Sequence, residues 1–369
     1  MEKKVLLITT GGTIAGKVAS TKKENELIKS SNEFTEVLND ACISIKATQN
    51  IDVLLDHFPL VEDIDSSDIM PQHWTDLALK IKESYDNFDA FIVTHGTNTM
   101  GYTAAALSFA LANLDKPVII TGSQVPAGMP GSDAKTNLEN SLRVATLNRR
   151  KANVKGVVAV FGSHIITGTK VKKETEFDYD AFVSFGGGSI GRIGRMIDIN
   201  EDNLLKHLKY LETARFPIAL TSKTLICENE FDMRIASLTE FPGMDEKIFE
   251  TLVRQNNIKA FILRAFGAGD PSTRLLPVLE NLKKEKIPIV ITTQAPKGNS
   301  NFQVNESGQK IAERKLAIPA FDMSIEAMTT KLGWLMAKYN KGILTYEQVC
   351  EEMIVDIRGE IKVIHEVTM

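Results

Sequence analysis

The stretch "VLLITTGGTIAGKV" (5–18) decides how the rest of the chain is read. Its first half is an apolar run of the kind that forms a strand covered on both faces. Its second half turns on two glycines and a threonine, so a strand end delivers polar groups into a loop. Two chemistries compete for that loop. "GGTIAGK" (11–17) fits G-x-x-x-x-G-K, the spacing of a loop that cradles phosphate. The same glycines would also let Thr13 act as a nucleophile beside unhindered backbone N–H groups that can receive an oxyanion.

Three further apolar runs follow: "DAFIVTH" (89–95), "PVIITG" (117–122) and "GVVAVF" (156–161). Helical patterns separate them. In "WTDLALKIKESY" (74–85) Trp74, Leu77, Ala78, Ile81 and Tyr85 share one helical face. "GYTAAALSFALANL" (101–114) and "NLENSLRVATLNRR" (137–150) predict two more helices, the closing arginines of the latter suiting a helix C-terminus. This alternation predicts an α/β chain whose larger N-terminal domain has a mainly parallel sheet flanked by helices. Such sheets bind ligands beyond the carboxyl ends of their strands. Three runs stop there at polar, glycine-bearing turns: "TTGGT" (9–13), "THGTNT" (94–99) and "TGSQVPAG" (121–128). Their side chains are expected to meet in one crevice.

The character changes near 200–222. Alternation then resumes with "IKAFILRAFG" (258–267), a helix over 273–285, "IPIVITTQ" (287–294) and helices near 323–339 and 345–353. The expected organisation is an N-terminal domain over 1–205, a linker over 206–222 and a smaller C-terminal α/β domain over 223–369.

Composition narrows the function. With 43% hydrophobic and 24% charged residues and a net charge of −4, the 369-residue chain reads as soluble and globular, without the basic footprint of a nucleic-acid binder. Its three cysteines, Cys42, Cys227 and Cys350, are distant and odd in number, which argues against a disulfide framework and for a reducing, cytoplasmic setting. The six histidines form no ligand-spaced cluster, so no metal is expected. "MEKKVLLITTGG" is too short in apolar residues for a signal segment, and no stretch approaches the ~18 apolar residues of a membrane span.

The phosphate alternative fails on its neighbours. Val18 stands where the motif needs a hydroxyl for Mg²⁺, and the polar segment from Val18 to Glu33 lacks sustained helical periodicity, reading instead as a mobile lid. "GGGSIG" (186–191) fits G-x-G-x-x-G, but "RIGRMID" follows it rather than an amphipathic helix, so it reads as a glycine turn. The nucleophile alternative remains. A threonine hydroxyl reacts poorly unless a base or network activates it. Thr97 and a lysine are candidates for that network.

At this point the residues resemble a family. "ITTGGTIAG" (8–16) and "FIVTHGTNTM" (91–100) are similar to the two signatures of the bacterial-type L-asparaginases. "DSSD" (65–68), 106–126, "GSDAKTNLENSLRVA" (131–145), "LRAFGAGDPS" (263–272), "DMSIEAMTTKLGWLM" (322–336) and "RGE" (358–360) resemble the cytoplasmic, type I branch. The resemblance implies hydrolysis of L-asparagine to L-aspartate and ammonia, without cofactor or metal, by a homodimer or homotetramer. It implies Thr13 as nucleophile and Thr97 as a second catalytic threonine bridging to a lysine. Counting back from "DAF" (180–182) puts that lysine at Lys173, with Lys170 and Lys172 as alternatives. Gly12 would line the substrate, Ser66 and Ser67 would hold its α-carboxylate, and Ser123 would lie beside the scissile amide. Asp270 matches a contact that the family supplies across an interface between copies.

Two departures stand out. The family pattern has aspartate after the second threonine, where it binds the substrate ammonium and orients the lysine; this chain has Asn98, which keeps a carbonyl of similar size but loses the charge. The loss implies a roughly tenfold penalty in affinity unless Asp133 or another acid compensates. No tyrosine occurs from 14 to 84, where many members carry one on the lid. Two alternatives follow: a non-catalytic or specificity-shifted asparagine- or aspartate-binding homologue, and the ammonia-releasing component of a transamidosome, a family with an extra N-terminal domain.

Overall fold

The computed structural model describes residues 2–11, 25–60, 64–211, 224–302 and 305–362, with backbone alone for 25–34. The chain divides into two compact units, 1–229 and 230–369.

In the first unit the elements run β1 (Glu2–Thr9), α1 (Asn25–Gln49), β2 (Asp52–Pro59), a 3₁₀ turn (Ser66–Asp68), α2 (Pro71–Ser84), β3 (Ala90–Thr94), α3 (Met100–Ala110), β4 (Leu111–Ala112), β5 (Pro117–Thr121) and α4 (Ala134–Ala145). There follow β6 (Gly156–Phe161), β7 (His164–Thr167), β8 (Val171–Lys173), β9 (Phe182–Ser184), β10 (Gly191–Ile193), β11 (Ile197–Ile199), α5 (Glu201–Leu211) and β12 (Ile226–Cys227). Among the described residues the main sheet has eight strands in the order β11-β10-β7-β6-β5-β3-β1-β2. The run from β2 to β6 is parallel; β7, β10 and β11 extend it antiparallel. β3, β5 and β6 are buried at every residue, which is why their sequence is continuously apolar rather than alternating.

α2 buries Trp74, Leu77, Ala78 and Ile81, the face its spacing predicts. Two helix expectations shift, and part of the segment expected to be a lid is helical. α3 stops at Ala110 because Leu111 and Ala112 turn extended and pair with Cys227 and Ile226. α4 starts before Asn137 and ends at Ala145, where the Thr146 hydroxyl folds back onto the Leu142 carbonyl at 2.7 Å. The arginines expected at its end lie outside it: Arg149 bonds the Ala152 carbonyl and the Glu201 carboxylate. α1 begins at Asn25, so the second part of the segment read as a lid is helical, continuous with a stretch that buries Leu38, Ala41 and Ile45 beside Leu138 and Leu142. The first part of that segment lies outside the described residues. Gly186, Gly187 and Gly188 all have positive φ in the turn between β9 and β10, and a strand follows them rather than the helix a dinucleotide loop opens.

In the second unit, β13 (Ile235–Thr239), β14 (Ala260–Ala265), β15 (Ile289–Thr293) and β16 (Ile318–Pro319) form a parallel sheet in that order. α6 (Lys247–Asn256), α7 (Leu276–Lys284), α8 (Glu306–Glu313), α9 (Ile325–Asn340) and α10 (Tyr346–Met353) accompany it. Phe249, Phe261, Leu263, Leu279 and Ile291 sit in its core. Both units are thus α/β, the larger N-terminal and mainly parallel. Residues 206–211 of the expected linker are the last part of α5, and the first unit runs on to Asn229 through the β4–β12 pair. Among the described residues no helix is long and apolar enough to cross a membrane.

Candidate active site

Three adjacent strands, β1, β3 and β5, end level with one another. Thr9 pairs with Thr94, and Thr94 with Thr121, so the last residue of each strand is a threonine in one row. Thr10 donates to the Thr94 carbonyl from both its amide (3.2 Å) and its hydroxyl (3.0 Å), and His95 N–H donates to the Thr121 carbonyl at 2.8 Å. Beyond this row Gly11 has a positive φ of 81°, in the left-handed region that favours glycine. Gly12 and Thr13 lie outside the described residues. The hydroxyls of Thr94, Thr121 and Ser123 are buried with no hydrogen-bond partner among the described residues. Buried hydroxyls are normally bonded, so a row of three marks a polar floor at the strand ends, where parallel sheets take ligands.

The walls of this floor approach closely enough to need glycine. A Cβ on Gly122 would stand 2.3 Å from the His95 carbonyl oxygen, and one on Gly96 would stand 2.6 Å from Ser66 Oγ. Gly96 therefore lets the 3₁₀ turn carrying Ser66 and Ser67 lie directly against the Thr97–Asn98 loop. Asp65 caps that turn, accepting the Ser67 amide at 2.7 Å; this bond, together with the Ser67 hydroxyl, outweighs the small effect of burial and holds its carboxyl below the usual range. Thr99 Oγ1 donates to the Ser66 carbonyl at 2.6 Å and ties the two loops together.

Lys173 closes the arrangement. It ends β8, which pairs antiparallel with β9 and is led past α3 at Gly168, where a Cβ would strike Ser108 Oγ at 2.3 Å. Its Nζ donates to Thr97 Oγ1 at 2.9 Å and to Asn98 Oδ1 at 3.5 Å, while Asn98 Nδ2 donates to Ser67 Oγ at 3.1 Å. Thr97 and Ser66 are buried, Lys173 half-buried, Ser67 and Asn98 exposed. The result is a connected path Lys173–Thr97 and Lys173–Asn98–Ser67 at the mouth of the strand ends. It is Lys173, rather than Lys170 or Lys172, whose amine bonds Thr97.

Asp133, the acid named as a compensator for Asn98, is engaged by its own loop. Its two oxygens accept the Gln124 and Val125 amides and the Asn137 side-chain amide, each at 3.0 Å, which pins the loop holding Ser123. Asp270 lies in the second unit, in the turn after β14, with its carboxylate bonded by the Asn305 side-chain amide.

One contributor is absent from the sequence reading. His95 is fully buried beneath the turn. Its Nδ1 lies 2.7 Å from the Gly96 carbonyl, an acceptor only, so the proton sits on Nδ1 and Nε2 accepts the Thr103 hydroxyl at 2.8 Å. Thr103 in turn accepts Trp74 Nε1–H at 3.0 Å. Burial drives the His95 pKa down to about 4 against the opposing Gly96 bond, so the ring is neutral and the chain of bonds runs one way from Trp74 to the Gly96 carbonyl. The signal was a histidine ending a fully apolar run, directly before Gly-Thr.

Comparison with known proteins gives the family of the chain. Residues 4–205 match the family model "Asparaginase, N-terminal", and residues 234–343 match "Glutaminase/Asparaginase C-terminal domain". The chain is 33% identical over 300 residues to L-asparaginase 1 of Escherichia coli, covering 81% of this chain and 82% of that one. It is 29% identical to a component of the glutamyl-tRNA(Gln) amidotransferase of Pyrococcus abyssi, over 97% of this chain and 76% of that one. Among solved structures, L-asparaginase I of Vibrio cholerae superposes with a TM-score of 0.78 at 26% identity, over 98% of this chain and 100% of that one.

Proposed function

The chain belongs to the asparaginase family, and from that premise we propose that it is a threonine-dependent amidohydrolase converting L-asparagine and water to L-aspartate and ammonia. The observation that carries this reading is the 2.9 Å bond from Lys173 Nζ to Thr97 Oγ1 beside the threonine-ended strands. A lysine held on a threonine hydroxyl is the network that a weak hydroxyl nucleophile needs.

Thr13 Oγ1 attacks the side-chain amide carbon, and backbone N–H groups of the Gly11–Gly12 pair receive the oxyanion. The Thr13 proton leaves through the Thr97–Lys173 pair and returns to the amide nitrogen as the C–N bond breaks and ammonia departs. Water then attacks the acyl ester, its proton goes back to Thr13 and aspartate is released. Ser66 and Ser67 hold the α-carboxylate and Ser123 faces the amide. Asp270 is proposed as a contact supplied in a homodimer or homotetramer, and the cytoplasm as the setting.

A coupled ammonia assay on L-asparagine, L-glutamine and D-asparagine tests the proposal. Release is expected from L-asparagine and its loss is expected in Thr13→Ala; unchanged release in that variant would remove the nucleophile from the mechanism. Gly96→Ala adds a second check. The new methyl must displace Ser66, whose Oγ and Cβ would lie 2.6 and 2.7 Å away, so KM for asparagine is expected to rise about tenfold with a smaller change in kcat. An unchanged KM would show that Ser66 does not touch substrate.

A further inference from the structure

We propose that His57 is a positioning residue for the nucleophile: its bond to the Thr9 hydroxyl fixes the end of the strand from which Thr13 is presented. The inference rests on the reading of Thr13 as nucleophile for its effect on rate, and on the strand geometry alone for its effect on motion.

Thr9 is the last residue of β1, and the chain runs from it through Gly11 and Gly12 to Thr13. Glycines restrain the backbone least, so the direction in which the chain leaves the sheet is set by what holds Thr9 and Thr10. Thr10 is held to β3, its amide and its hydroxyl both on the Thr94 carbonyl. Thr9 is held to β2 on the other side. Its carbonyl accepts the Leu60 amide at 2.9 Å, and its Oγ1 lies 3.0 Å from His57 Nε2. Side chains as well as backbone thus tie the strand end to both neighbours.

His57 pairs with Leu7, and Thr9 with Pro59, so the imidazole reaches along β1 to the strand end. Thr9 is buried and His57 is exposed at the sheet edge. In the row Thr9, Thr94, Thr121, the hydroxyls of Thr94 and Thr121 have no partner among the described residues. The hydroxyl of Thr9, whose chain runs on to Thr13, has one. A hydroxyl suits either imidazole tautomer, donating to a bare nitrogen or accepting from N–H. Partial burial lowers the His57 pKa from its ordinary value, so the ring is neutral near pH 7 and a neutral amide can stand in for it.

His57 has two routes to the site, and kinetics separates them. Through Thr9 it acts on the nucleophile, and so on kcat. Through its own strand it acts on Ser66 and Ser67, which follow β2 in the chain, and so on KM.

His57→Leu, Thr9→Val, the double variant and His57→Gln, assayed for ammonia release from L-asparagine beside an unchanged circular-dichroism spectrum, test the proposal. Each of His57→Leu and Thr9→Val is expected to lower kcat about tenfold or more with KM within about twofold, since a small misplacement of a reacting group is costly. The double variant should lose no more than the worse single one. His57→Gln should recover kcat to within about threefold of wild type. A kcat in His57→Leu within about twofold of wild type, a loss that falls on KM, additive losses in the double variant, or a His57→Gln no better than His57→Leu would each overturn the inference. Amide hydrogen exchange adds a readout without turnover: exchange at Thr10 should quicken about fivefold in His57→Leu and in Thr9→Val, and stay near wild type in His57→Gln. Equal exchange in all of them would overturn the inference. No ammonia release from the wild type would strike the hydrolase reading, and exchange would still decide whether His57 fixes the strand end.

Discussion

Lys173→Met is expected to lower kcat for amide hydrolysis by about 10²–10⁴-fold with little change in folded structure, because it removes a proton-transfer group and little else. Lys173 ends β8, whose pairing with β9 runs through the backbone and survives the change. Methionine keeps much of the stem that a half-buried lysine packs. The lost contacts are those of Nζ to Thr97 and Asn98. Two controls make the result specific. Lys170→Met, three residues earlier on the same segment and half-buried like Lys173, is expected to stay within about twofold of wild type, because the amine that bonds Thr97 is left in place. Thr97→Val combined with Lys173→Met should lose no more than the worse single variant, since residues acting as one unit are not additive. Full activity in Lys173→Met, measured by ammonia release beside an unchanged circular-dichroism spectrum, would rule out the Thr97–Lys173 pair as the activating network.

That pair shows what the sequence could and could not supply. Strands buried on both faces are written as continuous apolar runs, so "DAFIVTH", "PVIITG" and "GVVAVF" were legible to within two residues. The meeting of "TTGGT", "THGTNT" and "TGSQVPAG" was legible too, because parallel strands in one sheet end on the same side. Their threonines fall in one row through a register that no local pattern encodes. The reach from Lys173 to Thr97 spans 76 residues of chain and depends on Gly168 letting the β7–β8 passage lie on α3. Periodicity carries no trace of such a contact; only the family resemblance pointed there. α1 was missed altogether. Its N-terminal sequence is polar, and the apolar Leu38, Ala41 and Ile45, which are buried, come later. Asp133 could be named as a compensating acid because the same carboxylate in sequence can serve a ligand or two loop amides, and here it accepts the amides.

Lys331→Met is expected to cost about 3–5 kcal/mol of stability, the largest single loss predicted for the second unit. Lys331 on α9 and Glu360 are both fully buried, 2.6 Å apart. The ammonium also donates to the carbonyls of Met353 (3.1 Å) and Val355 (2.5 Å), just where α10 ends, while Glu360 accepts the amides of Ile357 (3.0 Å) and Arg358 (2.6 Å). The pair thus staples residues 353–360 to α9. Burial alone would raise the Glu360 pKa, but the Lys331 charge and the two amides more than offset it and hold it below the usual value. A depressed folded pKa means that Glu360 contributes its full stability above the unfolded value of about 4.3 and loses it as pH falls from there toward the folded pKa. Wild-type stability should therefore decline below about pH 5, and Glu360→Gln should flatten that decline while lowering stability at pH 7. In Lys331→Met the carboxylate keeps its amides but loses its counter-charge, and two carbonyls lose their donor, so urea unfolding at pH 7 should show the full loss. Lys331→Met with Glu360→Leu removes both charges together and should recover a substantial part of it, because an apolar pair leaves no uncompensated ion. Strict additivity of the two losses would mean that the charges do not see each other, and the staple would then rest on its backbone bonds alone.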